Sequence, residues 1–146
     1  MNVIPMNESH VEQIAELEKR CFSYPWDAAS IRGELSNELS LWLVAEENGC
    51  VLGYIGSQTV MGESDILNIA VREEYRRRGI GRILLEALCT NLAARDSSCI
   101  ILEVRASNEA AKALYLSQGF RMIAVRPRYY SRPVEDAELY RKELKQ

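Results

Sequence analysis

The chain has 146 residues, of which 47% are hydrophobic and 27% charged, and its formal net charge is −3. That size describes one domain (1–146) with room for its own core, and the acidic balance argues against a general nucleic-acid binder, which carries a basic excess. No stretch approaches the roughly 18 apolar residues of a membrane span, and the start of the chain lacks the basic and apolar regions of a leader. Four cysteines (Cys21, Cys50, Cys89, Cys99) and one histidine, His10, show no metal-ligand spacing. They read as reduced core thiols of a cytoplasmic protein without a metal.

In chain order, Val3-Ile4 predicts a short strand closed by Pro5. Asn7 to Phe22 carries apolar residues at helical spacing, with Asn7 or Ser9 as the cap. Tyr24-Pro25 interrupts it, because a proline disfavours helix at the residue before it. Asp27 caps a second helix through Leu35. Leu41 to Ala45 and Val51 to Val60 form a hairpin around Asn48-Gly49, a pair that tolerates positive φ. Gly62 turns the chain into a strand over Ile66 to Val71. Gly81 to Arg95 is amphipathic helix. Cys99 to Val104 is nearly continuous in apolar residues and reads as a strand buried on both faces. Asn108 to Gln118 is a helix stopped by Gly119. Strands follow over Phe120 to Val125 and Ala137 to Leu144. The order β-αα-β-β-β-α-β-α-β-β predicts an α/β (α+β) fold, one mixed sheet with helices on both faces.

The densest chemical signal is Arg76-Arg77-Arg78-Gly79-Ile80-Gly81, set between a strand and a long helix. A helix N-terminus offers free N–H groups and a positive dipole end. Glycines let the backbone approach a diphosphate, and arginines add charge-assisted hydrogen bonds. There is no Gly-Lys-Ser/Thr, and position 84 is Leu84, so neither a P-loop nor a dinucleotide fingerprint is present. The same residues also fit an ordinary loop-to-helix turn with a solvated arginine face.

Downstream, Glu103 interrupts the apolar strand. Burial would raise its pKa toward that of a base working near neutrality; an ion pair with Arg105 on the same face is the structural alternative. Tyr115 could protonate a leaving thiolate, or simply pack on the stripe of Ala111 and Leu114. Asn108 fits a helix cap.

Arg76-x-x-Gly79-x-Gly81, following Asn68-Ile69-Ala70-Val71, resembles the Q/R-x-x-G-x-G/A signature of the GCN5-related N-acetyltransferase superfamily. The resemblance implies acetyl-coenzyme A as co-substrate and a splayed central strand. Ile69, Ala70 and Val71 would lie along the pantetheine arm, with Arg77, Arg78, Gly79, Ile80, Gly81 and Arg82 around the pyrophosphate. Leu102-Glu103-Val104-Arg105-Ala106-Ser107-Asn108 through Tyr115 and Gly119-Phe120 is similar to the branch that acetylates ribosomal-protein alanine. In that branch the matching glutamate is the base, the matching tyrosine the acid and the matching asparagine a coenzyme contact.

Phe22-Ser23-Tyr24-Pro25-Trp26 resembles the branch's substrate-side loop, with Trp26 equally suited to core packing. Arg128-Tyr129-Tyr130 with Glu135-Asp136-Ala137 resembles the late hairpin over the acceptor, although ordinary loop aromatics would look the same. Two departures stand out. Glu73-Glu74 replaces an Asp/Pro pair without consequence for chemistry, and Pro133-Val134 replaces a more polar loop, which bears on the acceptor. The expected partner is a protein N-terminus, a ribosomal protein first. A lysine or small-amine acetyltransferase and a non-catalytic acyl-coenzyme A-binding module are the competing readings.

Overall fold

Side-chain caps start the helices where the sequence suggests. Asn7 accepts from the Ser9 N–H, Asp27 from the Ser30 N–H and Asn108 from the Ala111 N–H. The computed structural model describes residues 1–144. Its helices are α1 (Val11–Cys21), α2 (Ala28–Glu34), α3 (Ile80–Ala94) and α4 (Glu109–Ser117). Its strands are β1 (Asn2–Pro5), β2 (Ser40–Glu47), β3 (Cys50–Val60), β4 (Glu63–Val71), β5 (Cys99–Arg105), β6 (Arg121–Ser131) and β7 (Val134–Glu143). The first predicted helix divides into a 3₁₀ turn over Glu8–His10 and α1.

The seven strands form one sheet in the order β1-β2-β3-β4-β5-β7-β6. Every neighbouring pair is antiparallel except β4 and β5. The β2–β3 turn has positive φ at both Asn48 and Gly49, the signature of a type I′ hairpin.

Strict alternation divides the core into two layers. Leu41, Leu43 and Ala45 of β2 pack with Leu84, Leu85, Leu88 and Leu92 of α3. Trp42 and Val44 point to the opposite layer, with Val11, Ile14 and Leu17 of α1 and Ile31 of α2. A fully buried leucine or isoleucine of this kind contributes about 1.5–3 kcal/mol. Gly56 in β3 serves the second layer: a Cβ there would lie 2.6 Å from the Trp42 ring.

Three sequence expectations need correction. β5 is not buried on both faces: Ile100, Leu102 and Val104 enter the core, whereas Glu103 on the alternate face is exposed. The reason is that the next strand leaves it, as described below. β6 runs six residues beyond Val125 and β7 begins at Val134, because the two strands pair almost to their shared turn. Of the four thiols only Cys89 and Cys99 are buried, while Cys21 and Cys50 are half-exposed.

Candidate active site

β4 and β5 pair over only three positions, Glu63↔Cys99, Ser64↔Ile100 and Asp65↔Ile101. Just beyond, the β3–β4 register shifts: Ser57 faces Ile66 and Gly56 faces Asn68, leaving Leu67 as an extra residue on β4. Such a bulge bends its strand and ends pairing. From Ile66 onward β4 keeps β3 on one side and has lost β5 on the other, so its backbone groups on that side stand open. The resulting wedge holds three adjoining hollows that share lining residues. One, of about 400 Å³, lies between Ile69–Val71, Gly81 and α4. The middle one, of about 230 Å³, reaches from Asn68 and Ile69 to Glu103, Asn108 and Tyr115. The third, of about 450 Å³, is bounded by Asp65, Glu103, Tyr129 and Tyr130.

At the first hollow, Gly79 caps α3 with φ +77°, a left-handed conformation that favours glycine. Arg77 also has positive φ. Among the described residues, the N–H groups of residues 77–82 have no partner within the turn, the state in which a helix start receives an anion. The side chains divide. Arg76 is tethered, its Nε 3.0 Å from the Val71 carbonyl and one guanidinium nitrogen 3.6 Å from Cys21 Sγ. Arg78 lies over the Tyr75 ring and Arg82 pairs with Glu86 at 2.8 Å. Ile80 is buried in the core, so only its N–H is available to a ligand. Ile69, Ala70 and Val71 line the hollow as expected of a strand beside an extended ligand, and Gly81 lines it opposite Val71 and Leu114.

The middle hollow joins Glu103 of β5 to Asn108, the cap of α4, and to Tyr115 within that helix. The premise of a buried Glu103 fails: it is exposed, and its partner is Arg126 at 3.2 Å rather than Arg105. Tyr115 is 4% exposed and packs on Phe120 and Tyr140, so it is a core residue and a lining residue at once. Burial, and then the nearby Tyr130, push its phenol well above the ordinary tyrosine range. It therefore stays protonated at any physiological pH, as a proton donor requires. Tyr115 lines the first and middle hollows and Glu103 the middle and third, so the two side chains face opposite halves of one cleft.

The third hollow lies under the β6–β7 hairpin. The β6–β7 register jumps between Arg126 and Tyr130, which bulges out the intervening residues and sets Tyr129 edge-on against Tyr130 at 5.1 Å. Glu103 and then burial raise the Tyr129 phenol. The Tyr130 phenol is pushed up to about 12 by burial and then by Glu103 and Tyr129.

Arg105 fixes the hairpin: its guanidinium lies 4.2 Å from the Tyr130 ring, donates to the carbonyls of Pro133 and Arg132, and pairs with Glu135. Glu135 in turn accepts from the Ser107 N–H at 2.6 Å. The α1–α2 loop meets the same hairpin through Ser23 Oγ to the Arg132 carbonyl and Tyr24 to Ser131. Trp26 lies apart from this roof. Its ring packs edge-on against Trp42 at 5.4 Å, and Phe22 and Cys21 form the wall on that side instead.

Asp65, Arg105 and Arg126 were not among the residues singled out for the site from sequence. Arg105 stood next to a recognisable motif. Asp65 and Arg126 reach the cleft only through the strand divergence and the hairpin bulge, and nothing local marks them.

Comparison with known proteins gives a coherent picture. The acetyltransferase (GNAT) family model matches residues 11–120. The [ribosomal protein bS18]-alanine N-acetyltransferase of Escherichia coli K12 is 40% identical over 117 residues, 78% of this chain and 76% of that protein. An uncharacterised protein of Mycobacterium leprae is 40% identical over 144 residues; the match covers 94% of this chain but only 39% of that longer protein. The crystal structure of the E. coli ribosomal-protein-S18-alanine N-acetyltransferase superposes with a TM-score of 0.90 at 32% identity, covering 99% of this chain and 94% of that one.

Proposed function

The chain belongs to the GNAT family of acetyl-coenzyme A-dependent N-acetyltransferases, and from that premise we propose that its acceptor is a protein α-amine. The N-terminal alanine of a small-subunit ribosomal protein leads the candidates. The observation that carries the proposal is the division of the cleft, with Tyr115 on the side of the α3 turn and Glu103 under the aromatic hairpin. The name carried by the relative at 40% identity supports the ribosomal acceptor.

In this reading the N–H groups of residues 77–82 and Asn108 hold the coenzyme's phosphates and arm, and open N–H groups of β4 polarise the thioester carbonyl. Glu103 takes a proton from the acceptor amine as its nitrogen bonds to the acetyl carbon. The C–S bond then breaks, and Tyr115 passes its proton to the departing thiolate. The products are an amide and the coenzyme thiol. An α-amine has a pKa of about 8 and a lysine of about 10.4, so a modest base suffices for the first. Tyr129 and Tyr130 flank the incoming peptide, and Trp26 supports the loop from beneath.

The test is incubation with acetyl-coenzyme A and peptides beginning Ala, Ser, Met or Glu, with spermidine in parallel, read by mass spectrometry. Acetylation of the Ala peptide above the others is expected. Acetylation of spermidine alone, or coenzyme binding without turnover of any amine, would overturn the proposal.

A further inference from the structure

Glu18 is the one fully buried carboxylate among the described residues, 0% exposed on the last turn but one of α1. Its neighbours are polar groups from three other segments. The Trp26 N–H donates to Oε1 at 2.9 Å, the Asn68 amide donates to Oε1 and Oε2 at 3.1 and 3.0 Å, and the Tyr54 hydroxyl donates to Oε2. No cation faces it among its hydrogen-bond partners; burial raises its pKa, and the donors from Trp26 and Asn68 offset that cost only in part.

The four segments are not equivalent. Trp26 belongs to the α1–α2 loop and Asn68 adjoins the bulge where β4 leaves β5. Tyr54 is rigid β3 core. Cys21 and Phe22, one turn beyond Glu18, line the cleft from one side while Leu67, Asn68 and Ile69 line it from the other.

We infer that Glu18 is a positioning residue that sets the width of the acceptor side of the cleft, by tying the α1–α2 loop to the bulge of β4. The inference rests on the peptide-acceptor reading only for its kinetic consequence. Cys21, Phe22 and Ile69 also line the first hollow, but the N–H groups of the α3 turn and the Asn108 cap are outside the tie, so acceptor binding responds more strongly than coenzyme binding to its loss.

Two variants test it. Glu18→Gln removes the charge and one acceptor oxygen, and sets an amide nitrogen against the donor-only Asn68 amide nitrogen. Tyr54→Phe removes one donor from Glu18 without touching the cleft wall and keeps the test open where Glu18→Gln fails to fold. The measurements are kcat and KM for the alanine peptide, Kd for acetyl-coenzyme A, and amide hydrogen exchange of residues 22–27.

Glu18→Gln is expected to raise acceptor KM roughly tenfold, keep coenzyme Kd within about twofold and quicken exchange in 22–27. Tyr54→Phe is expected to act in the same direction and less strongly. Unchanged acceptor KM with unchanged exchange, or an equal loss of acceptor and coenzyme binding, would overturn the inference. Hydrogen exchange needs no acceptor and decides on Glu18 even where no peptide is acetylated.

Discussion

In the proposed mechanism Glu103 and Tyr115 take opposite roles, and their surroundings differ accordingly. Glu103 is exposed and paired with Arg126, on an open face where an amine can reach it. Tyr115 is buried, and burial keeps its proton in place. Glu103→Gln and Tyr115→Phe are each expected to lower kcat by about 10²–10⁴-fold while leaving the Kd for acetyl-coenzyme A, measured by calorimetry, near the wild-type value. Unchanged turnover in both would refute the assignment.

The raised Tyr115 pKa sets a sign on the pH profile. A phenol whose pKa rises on folding holds its proton above the ordinary value of about 10, so kcat should show no falling limb near pH 10 from this group. A limb there that disappears in Tyr115→Phe would contradict the placement. Glu103 was legible as the odd residue in an apolar run. Its exposure was not, since a continuous apolar strand reads as buried on both faces and no local pattern reveals that the neighbouring strand turns away.

At the scale of elements, three devices build the cleft, and each has a breaking change. Gly79 turns the chain into α3 with φ +77°. Gly79→Ala forces a side chain into the left-handed region at about 1–2 kcal/mol, and should weaken coenzyme binding several-fold in a titration without altering acceptor preference. Gly56 leaves room for Trp42. Gly56→Ala pushes a ring that also carries Trp26 and Tyr54, and is expected to cost about 1–3 kcal/mol of stability by denaturant unfolding.

Arg105 clamps the hairpin. Arg105→Ala removes a stacked, ion-paired guanidinium, and should raise acceptor KM while sparing coenzyme Kd. The helices and turns were legible because caps and positive-φ residues such as Asn7, Asp27, Asn108, Asn48-Gly49 and Gly119 announce them locally. The full length of β6 was not. Pro127 and the surrounding arginines suggest a loop, and only pairing with β7 around a bulge holds the segment extended.

For the whole molecule, a sheet that parts between its two parallel strands opens a cleft beside two packed core layers. One half of the opening meets a helix start and the other an aromatic hairpin, and in the proposed reaction donor and acceptor arrive from these different ends. The donor end was the more legible in the sequence, because the Arg76–Gly81 turn is contiguous and its physics is local. The acceptor end combines α1, the α1–α2 loop, the β4 bulge and the hairpin, and its composition emerges only on folding; Trp26 packs beneath it while Phe22, Asp65 and Arg126 take part in it.

The central claim is transfer to an α-amine through this cleft. Its most direct test is a single peptide that begins with alanine and carries an internal lysine, incubated with enzyme and acetyl-coenzyme A and sequenced by tandem mass spectrometry. The acetyl group is predicted on the α-nitrogen alone, lost in step with Glu103→Gln. Acetyl on the lysine Nζ, or α-acetylation that survives Glu103→Gln undiminished, would contradict it.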